Sequence, residues 1–232
     1  MFDLNADWAA IAPSLKTDAV LARQVEARPG LRVPGCWNGF ELATRAILGQ
    51  QITVKGATAL AGRLVGTFGQ PFAAAEGISH LFPSPEILAD ARIAGIGMPR
   101  ARAETIRDLA RAACDGRITF GKVVDSDALL NRLCEIPGIG KWTAQYVVMR
   151  ALGEPDAFPA GDVGLMHALG AKNVTELERR AEKWRPWRAY AAMYLWSAGS
   201  TPSLRTTKLA TSGRTNTAVK KLVSRRATSG AA

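Results

Sequence analysis

A tight glycine turn between two helix-forming stretches is the feature that most constrains the fold of this chain. The turn is Pro137-Gly138-Ile139-Gly140, and the helical hairpin around it is predicted to span residues 127–152. Gly138 and Gly140 permit positive φ and leave backbone N–H groups uncovered by side chains. The second helix should begin at about Lys141, so its free N–H groups and positive dipole end face the turn. Such a hairpin could hold a phosphate without any base contact, although an ordinary helical hairpin can have the same turn.

A longer pattern around this turn resembles a known family. The run from Ile136 to Ala144, with Asp162 downstream, is similar to the helix-hairpin-helix DNA glycosylase superfamily (HhH-GPD), in particular its AlkA-like 3-methyladenine DNA glycosylase branch, the type II alkylbase glycosylases. The same resemblance covers residues 27–35, 45–51, 97–103 and 184–190, in the family's order. It implies an all-α, two-lobed helical bundle with its core in residues 1–199. Many AlkA-like enzymes carry a β domain ahead of this core, which we expect here to be missing or reduced to a remnant.

The charge of the chain is unevenly distributed. The 232 residues carry a net charge of +10, but residues 200–232 contain seven basic residues and no acid, which leaves +3 for the rest. The body is therefore only mildly basic, and its DNA affinity depends on where its charges lie. The tail has few large apolar residues and is predicted to be disordered. It could add non-specific attraction to phosphates or simply be solvated.

Cysteine and histidine usage argues against a bound metal centre. Cys36, Cys114 and Cys134 are odd in number and widely spaced, which fits a reducing compartment and gives neither a disulfide framework nor an iron–sulfur cluster. With only His80 and His167, a His-rich catalytic metal site is not expected. No apolar run is long enough for a membrane span, and no signal peptide is recognisable. We therefore expect a monomeric cytoplasmic protein, nucleoid-associated if bacterial, that needs no cofactor.

Capping residues predict most helix starts, and no alternating strand pattern is found. The predicted starts are Asn38 for a helix over 39–49, Thr53 for one to about Phe68, Pro85 for a short helix, residue 100 for one to 115, Asp125, Ser126 or Asp127 for the first hairpin helix, Thr175 for a later one, and Pro186 in the first turn of the last. Residues 93–101 also echo residues 136–144, as either a degenerate second hairpin or a plain helix connector.

Asp162 is the predicted catalytic residue. Cleavage of an N-glycosidic bond passes through an oxocarbenium-like sugar, and a carboxylate near its C1′ can stabilise that charge or position water. The resemblance places Asp162 at the family's catalytic position. An Asp there would also be a good N-cap for a helix over residues 163–169, and both roles can hold together. Asp156 lies nearby, but its place before Phe158 and Pro159 suits a turn.

Three aromatic residues are predicted to form the substrate pocket. Trp142 and Tyr146 are four residues apart and share a helix face, which by spacing alone would favour core packing. The resemblance implies instead that these two, with Trp196, line the cleft that receives the extruded base. An alkylated purine is electron-poor and often cationic, so aromatic faces attract it. Trp184 and Trp187 have no such counterpart and are predicted to be structural.

The hairpin also supplies the predicted DNA contacts and decides between two chemistries. The predicted contacts are Gly138, Ile139, Gly140, Lys141 and Thr143, together with Gln51, which stands where relatives insert a leucine wedge into the base stack. Glycosylases that also cleave the backbone place a Schiff-base lysine where this chain has Trp142. Because Lys141 is one residue earlier, it points about 100° away on a helix. The resemblance therefore implies a monofunctional enzyme.

The resemblance further implies a monovalent cation held by the main-chain carbonyls of Cys134, Ile136 and Gly138. The function it implies is removal of alkylated purines, of the 3-methyladenine and 7-methylguanine type, from double-stranded DNA in base excision repair. Two alternatives stay open. One is a non-catalytic helix-hairpin-helix DNA-binding module, and the other is an oxidised-base glycosylase with lyase activity.

Overall fold

In a computed structural model, the chain is described over residues 1–75, 77–121 and 124–199. The helices are α1 (Trp8–Lys16), α2 (Ala19–Ala27), α3 (Gly39–Leu48), α4 (Val54–Phe68), α5 (Pro85–Asp90), α6 (Arg100–Cys114), α7 (Ser126–Cys134), α8 (Lys141–Ala151), α9 (Val163–Leu169), α10 (Val174–Ala181) and α11 (Arg188–Gly199). Strands β1 (Gln70–Ala75) and β2 (Ile78–Leu81) form an antiparallel pair. The predicted basic tail, residues 200–232, lies outside the described residues.

The helices pack as two lobes, as the resemblance implied. In one lobe α3 packs against α4, α6 and α8, while α5 packs on α6 and α7 on α8. In the other lobe α11 packs against α2 and α9, with α1 on α2 and α10 on α9. The second lobe thus combines the beginning and the end of the described chain. Fully buried side chains such as Ile47 and Ile106 in the first lobe, and Leu21 and Tyr194 in the second, form the apolar core.

Local capping chemistry explains where most helices begin. The side chains of Asn38, Thr53 and Asp125 accept hydrogen bonds from backbone N–H groups in the first turns of α3, α4 and α7. Pro85 is the first residue of α5, where its missing N–H costs nothing. The starts at Asn38, Thr53 and Pro85 confirm the predictions made from the sequence. For α7 the structure selects Asp125 from the three candidates that the sequence offered.

Two predicted helix starts in the second lobe are wrong. Asn173, and not Thr175, caps α10, because its side chain accepts from the N–H of Glu176. Thr175 instead lies within the helix. Helix α11 begins at Arg188, two residues after Pro186, so this proline precedes the helix. At α10, Asn173 and Thr175 are both good N-cap residues, and sequence alone does not choose between them. Near the start of α11, residues 183–190 include no Ser, Thr, Asp, Asn or Gly that would mark the first turn.

The described chain is mostly helical, as predicted, and the β1–β2 hairpin is a small strand pair that the sequence did not reveal. Gln70 pairs with Leu81, and Ala75 with Ile78. The side chains of Ile78 and Leu81 are about half exposed, so β2 has no alternation of buried and exposed residues. That alternation is the signal by which a strand is recognised in a sequence, which is why this hairpin was missed.

The echo of the hairpin motif does not have the hairpin's backbone. Residues Ile93–Ile96 form a 3-10 turn, followed by Gly97 with φ of +87° before α6 begins at Arg100. In the real hairpin the positive φ, +91°, falls on Gly138, the counterpart of Gly95. The positive φ therefore sits two residues later in the echo, which is a plain helix connector.

The described helices include none that is long and apolar enough to cross a bilayer. The three cysteines are free thiols, and within the described ranges no group of His, Cys, Asp and Glu side chains could hold a metal ion.

Candidate active site

Asp162 follows a loop that is held in place by contacts with α8 and with the core. The side chain of Gln145 on α8 accepts a 2.9 Å hydrogen bond from the N–H of Phe158. The ring of Phe158 is buried and packs edge-to-face against the fully buried Trp184. Asp162 then caps α9, because its Oδ1 accepts the N–H of Leu165 at 2.9 Å. The predicted N-cap role is therefore observed, and it fixes the carboxylate relative to α8.

Two indole groups from different helices converge on this carboxylate. Trp196 on α11 donates from Nε1 to Oδ1 of Asp162 at 2.9 Å, and Trp142 on α8 donates from Nε1 to Oδ2 at 3.2 Å. Both are hydrogen bonds to an ionised acceptor, which are stronger than neutral ones. The carboxylate is thus held by three donors, counting Leu165, and is half-buried. A carboxylate has about four lone-pair sites, so one site on Oδ2 is left for a substrate.

The three predicted pocket aromatics form one cluster. The rings of Trp142 and Tyr146 are stacked, with centroids 5.6 Å apart and planes inclined by 8°. Trp196 meets Tyr146 edge-on at 6.4 Å. One turn further along α8, the guanidinium of Arg150 lies 5.6 Å from the centre of the Tyr146 ring. Sequence reasoning missed Arg150, although its spacing of four from Tyr146 was a usable signal.

An apolar groove of about 370 Å³ lies against this cluster. Its walls come from α3, α4 and the turn between them, and from Trp142 and Tyr146 on α8. Trp142 therefore takes part in both features: it lines the groove, and its Nε1 donates to Asp162. A larger and more polar cavity, about 740 Å³, lies elsewhere against Asp156 and Arg188. We take the smaller groove as the base-binding space because stacking requires aromatic walls.

Helix α6 packs against the glycine turn of the hairpin. Gly138 has φ of +91°, and a Cβ at this position would overlap the hydroxyl of Thr105. That hydroxyl lies 2.8 Å from the carbonyl oxygen of Pro137. Gly140, by contrast, has open space where a Cβ would lie. Gly138 therefore serves packing, whereas Gly140 keeps the outer surface of the turn uncovered.

The start of α8 presents backbone N–H groups at this turn. The first intrahelical hydrogen bond runs from Ala144 N–H to Gly140 O, so the N–H groups of Lys141 to Thr143 precede it. Lys141 is exposed, whereas the side chains of Ile139 and Thr143 are buried. Among the predicted DNA contacts, Ile139 and Thr143 can therefore offer their backbone but not their side chains.

The side chains of Gln50 and Gln51, the two glutamines after α3, have different surroundings. Gln51, at the position where relatives insert a leucine wedge, is exposed and has φ of +56°, which is uncommon for a residue with a side chain. Gln50 points to the hairpin instead, and its amide donates to the carbonyl of Gly138 at 3.0 Å and to the hydroxyl of Thr143 at 3.1 Å. Arg102 on α6 donates to the carbonyl of Gln50 at 2.7 Å. Sequence analysis singled out only Gln51.

Asp156 belongs to a separate ion-pair network. Its carboxylate accepts from Arg188 at 2.8 and 2.9 Å and also pairs with Arg185. These pairs join the loop before α9 to the start of α11. Trp184 and Trp187 are likewise structural, as predicted, since the first is fully buried and the second packs edge-to-face on Tyr190.

Comparison with known protein families assigns the chain to one superfamily. The sequence model of the HhH-GPD superfamily base excision DNA repair proteins matches residues 44–186. The chain belongs to this superfamily. The model of the AlkA N-terminal domain matches residues 1–38, where the structure has α1 and α2.

Curated relatives and solved structures of the superfamily place the chain more closely. It is 40% identical to a probable bifunctional transcriptional activator/DNA repair enzyme AlkA of Mycobacterium tuberculosis, over 85% of this chain and 41% of that protein. It is 36% identical to DNA-3-methyladenine glycosylase 2 of Escherichia coli, over 84% of this chain and 68% of that protein. The structure of a 3-methyladenine DNA-glycosylase from Archaeoglobus fulgidus matches with a TM-score of 0.71 and 25% identity, over 85% of this chain and 71% of that chain. The chain thus spans about two fifths of the mycobacterial relative's length.

Proposed function

We propose that this chain is a monofunctional DNA glycosylase of base excision repair. It would hydrolyse the N-glycosidic bond of alkylated purines, of the 3-methyladenine and 7-methylguanine type, in double-stranded DNA after base flipping. The observation that carries this proposal is the double contact of Trp142, which lines the apolar groove and also donates to Asp162. A base stacked in the groove would have its glycosidic bond close to the carboxylate. The names of the relatives from Escherichia coli and Archaeoglobus fulgidus support the choice of substrate.

The arrangement of donors around Asp162 suits an electrostatic role. Both lone pairs of Oδ1 are taken by Leu165 and Trp196, and Trp142 takes one on Oδ2. The remaining site on Oδ2 can face C1′ as positive charge develops on the sugar. The C1′–N bond breaks with its electron pair going to the base, so a cationic alkylated purine leaves as a neutral molecule. Water then adds to C1′ and loses a proton, which leaves an abasic site.

Base flipping costs a few kcal/mol, and the site has groups that can offset it. Stacking on an aromatic ring contributes about 1–3 kcal/mol per base. Phosphates flanking the lesion would lie at the hairpin, where the N–H groups of Lys141 to Thr143 precede the first helical bond. We also propose a monovalent cation on the carbonyls of Cys134, Ile136 and Gly138. The carbonyls of Ile136 and Gly138 each accept one hydrogen bond, from Ile139 N–H and Gln50 respectively, which leaves a lone pair on each.

Two features argue against the rival functions. A module that only binds DNA has no use for a half-buried carboxylate held by two indoles. A glycosylase with lyase activity needs a lysine in the pocket, but Trp142 occupies that place and Lys141 is exposed one residue away.

The decisive experiment is incubation of the protein with duplex DNA treated with a methylating agent, with free-base release and strand cleavage measured separately. We expect methylated purines to be released and strands to break only after alkali or heat. Borohydride should trap no covalent protein–DNA adduct. No base release would refute the proposal, and a trapped adduct that is lost in Lys141→Ala would refute its monofunctional part.

A further inference from the structure

The turn between α3 and α4, here called the Gln51 turn, contains two adjacent glutamines, Gln50 and Gln51, whose side chains point in different directions. Gln51 is exposed, with its backbone in the left-handed region. That conformation costs a residue with a Cβ about 1–2 kcal/mol, so neighbouring contacts must hold it. The contacts are made one residue earlier, at Gln50.

Gln50 connects this turn to the hairpin through both hydrogens of its amide. One goes to the carbonyl of Gly138, in the glycine turn, at 3.0 Å, and the other to the hydroxyl of Thr143, in the first turn of α8, at 3.1 Å. The side chain therefore contacts both sides of the segment whose backbone N–H groups would hold a phosphate. The hydroxyl of Thr143 is buried, which shields this contact from competing water.

Helix α6 completes the connection from the other side. Arg102 donates to the main-chain carbonyl of Gln50 at 2.7 Å. This carbonyl belongs to the peptide group that joins Gln50 to Gln51, so the contact fixes the orientation of that peptide. One turn along α6, Thr105 contacts the carbonyl of Pro137 in the hairpin at 2.8 Å. The Gln51 turn, the glycine turn and α6 are thus joined by hydrogen bonds into one unit.

We propose that Gln50 is a positioning residue that holds Gln51 at a fixed place relative to the hairpin. The inference rests on the proposed function and assigns Gln51, at the position where relatives insert a leucine wedge, to the gap that the flipped base leaves in the stack. Because the hairpin would hold the backbone phosphate, a rigid link between the two fixes how Gln51 meets the gap. Positioning of this kind lowers the barrier to flipping without touching the reacting atoms.

If Gln50 positions Gln51, loss of the Gln50 contacts should slow base release most for bases that are hard to flip. Extruding a damaged base costs least when it is mismatched, so a weakened wedge should matter less there. Two duplexes are compared, each with one 7-methylguanine, placed opposite cytosine in the first and opposite thymine in the second. Single-turnover base release is measured for the wild-type protein, for Gln50→Met and for Gln145→Met. Methionine matches glutamine in length and removes the amide.

Gln145→Met is the matched control because the side chain of Gln145 bonds to the N–H of Phe158, in the loop before Asp162, and takes no part in the hydrogen bonds that join Gln50 to the hairpin. We expect Gln145→Met to slow release from both duplexes by the same factor. Gln50→Met should slow release from the cytosine duplex about tenfold more than from the thymine duplex, as expected for lost hydrogen bonds that act only on flipping. The ratio of the two rates does not depend on the folded fraction, so a loss of stability cannot imitate the effect.

An active wild-type protein with equal losses, or no loss, for Gln50→Met on the two duplexes would overturn the positioning role and leave the proposed function standing. A wild-type protein that releases no base from either duplex would overturn the proposed function, and this inference with it.

Discussion

The indole Nε1 of Trp196 donates a 2.9 Å hydrogen bond to Oδ1 of Asp162, joining the last described helix to the cap of α9. The ring of Trp196 meets Tyr146 edge-on, so the same residue belongs to the aromatic cluster and to the shell around the carboxylate. One side chain, Trp196, therefore connects the aromatic cluster to the carboxylate.

Replacing the indole with a phenyl ring separates these two roles. Trp196→Phe keeps an aromatic face but removes the donor to Asp162, and hydrogen bonds to charged groups contribute about 1.5–3 kcal/mol. We expect single-turnover base release to slow at least about tenfold, with little change in affinity for undamaged duplex. Trp187→Phe is the control, because Trp187 packs on Tyr190 away from the carboxylate. Equal rates for the two variants would show that the indole donor has no part in the reaction.

Asp162→Asn tests the charge while retaining a capping oxygen. The amide oxygen can still accept the N–H of Leu165, so α9 should remain capped and the melting temperature nearly unchanged. The amide N–H₂, however, would face an indole N–H, and the negative charge that stabilises an oxocarbenium would be gone. Base release should fall below detection while binding to undamaged duplex persists. Substantial residual release would move the catalytic role to another group.

Asp156→Asn should affect stability and not chemistry. The carboxylate accepts from Arg188 twice and pairs with Arg185. Loss of the charge leaves two guanidinium groups with weaker partners, which should lower the free energy of unfolding by about 1–2 kcal/mol. Denaturant unfolding followed by circular dichroism measures this change. Base release per folded molecule should be unaltered, and a large loss would mean that Asp156 acts in catalysis.

The two turn glycines should fail in different ways. Gly138→Ala forces a Cβ onto the hydroxyl of Thr105 at a backbone φ of +91°, so we expect a loss of about 1–3 kcal/mol of stability. Gly140→Ala has open space and φ of −88°, so stability should change little. Its added methyl would instead stand where a phosphate approaches, and DNA affinity should fall. Binding titrations and thermal unfolding of both variants distinguish these outcomes, and identical behaviour would contradict the division of roles.

Asp18 should contribute to acid sensitivity. Burial by itself would raise the pKa of Asp18, but the contact with Lys183 and the hydrogen bond from Val20 N–H outweigh it, so the pKa lies below its usual value of 3.8. A lowered folded-state pKa stabilises the fold above about that usual value, and this stabilisation is lost as the pH falls through the lowered pKa. Asp18→Asn should therefore cost about 1 kcal/mol at neutral pH and progressively less toward pH 3. A pH-independent difference between the two proteins would exclude this linkage.

The sequence by itself determined the features that depend on residues within about four positions of each other. Capping at Asn38 and Thr53 was predictable because an N-cap bonds to backbone only two or three residues ahead. The glycine turn before α8 was predictable for the same local reason. Local rules did not identify the N-cap where two good capping residues compete, as at Asn173 and Thr175. They also did not identify a strand that buries neither of its faces, as in β2.

The predicted roles of Asp162 and of the pocket aromatics came from the resemblance to the family's motifs, without any geometry. Only the tertiary structure decided that Trp142 and Trp196 both bond to Asp162, from positions 20 and 34 residues away. It also decided that Gln50 holds the hairpin while Gln51 faces outward, and that Asp156 binds arginines. These contacts depend on how helices from distant parts of the chain pack around a shared core. Spacing along the sequence carries no information about such packing, because each side chain meets partners that only the folded core brings within hydrogen-bonding distance.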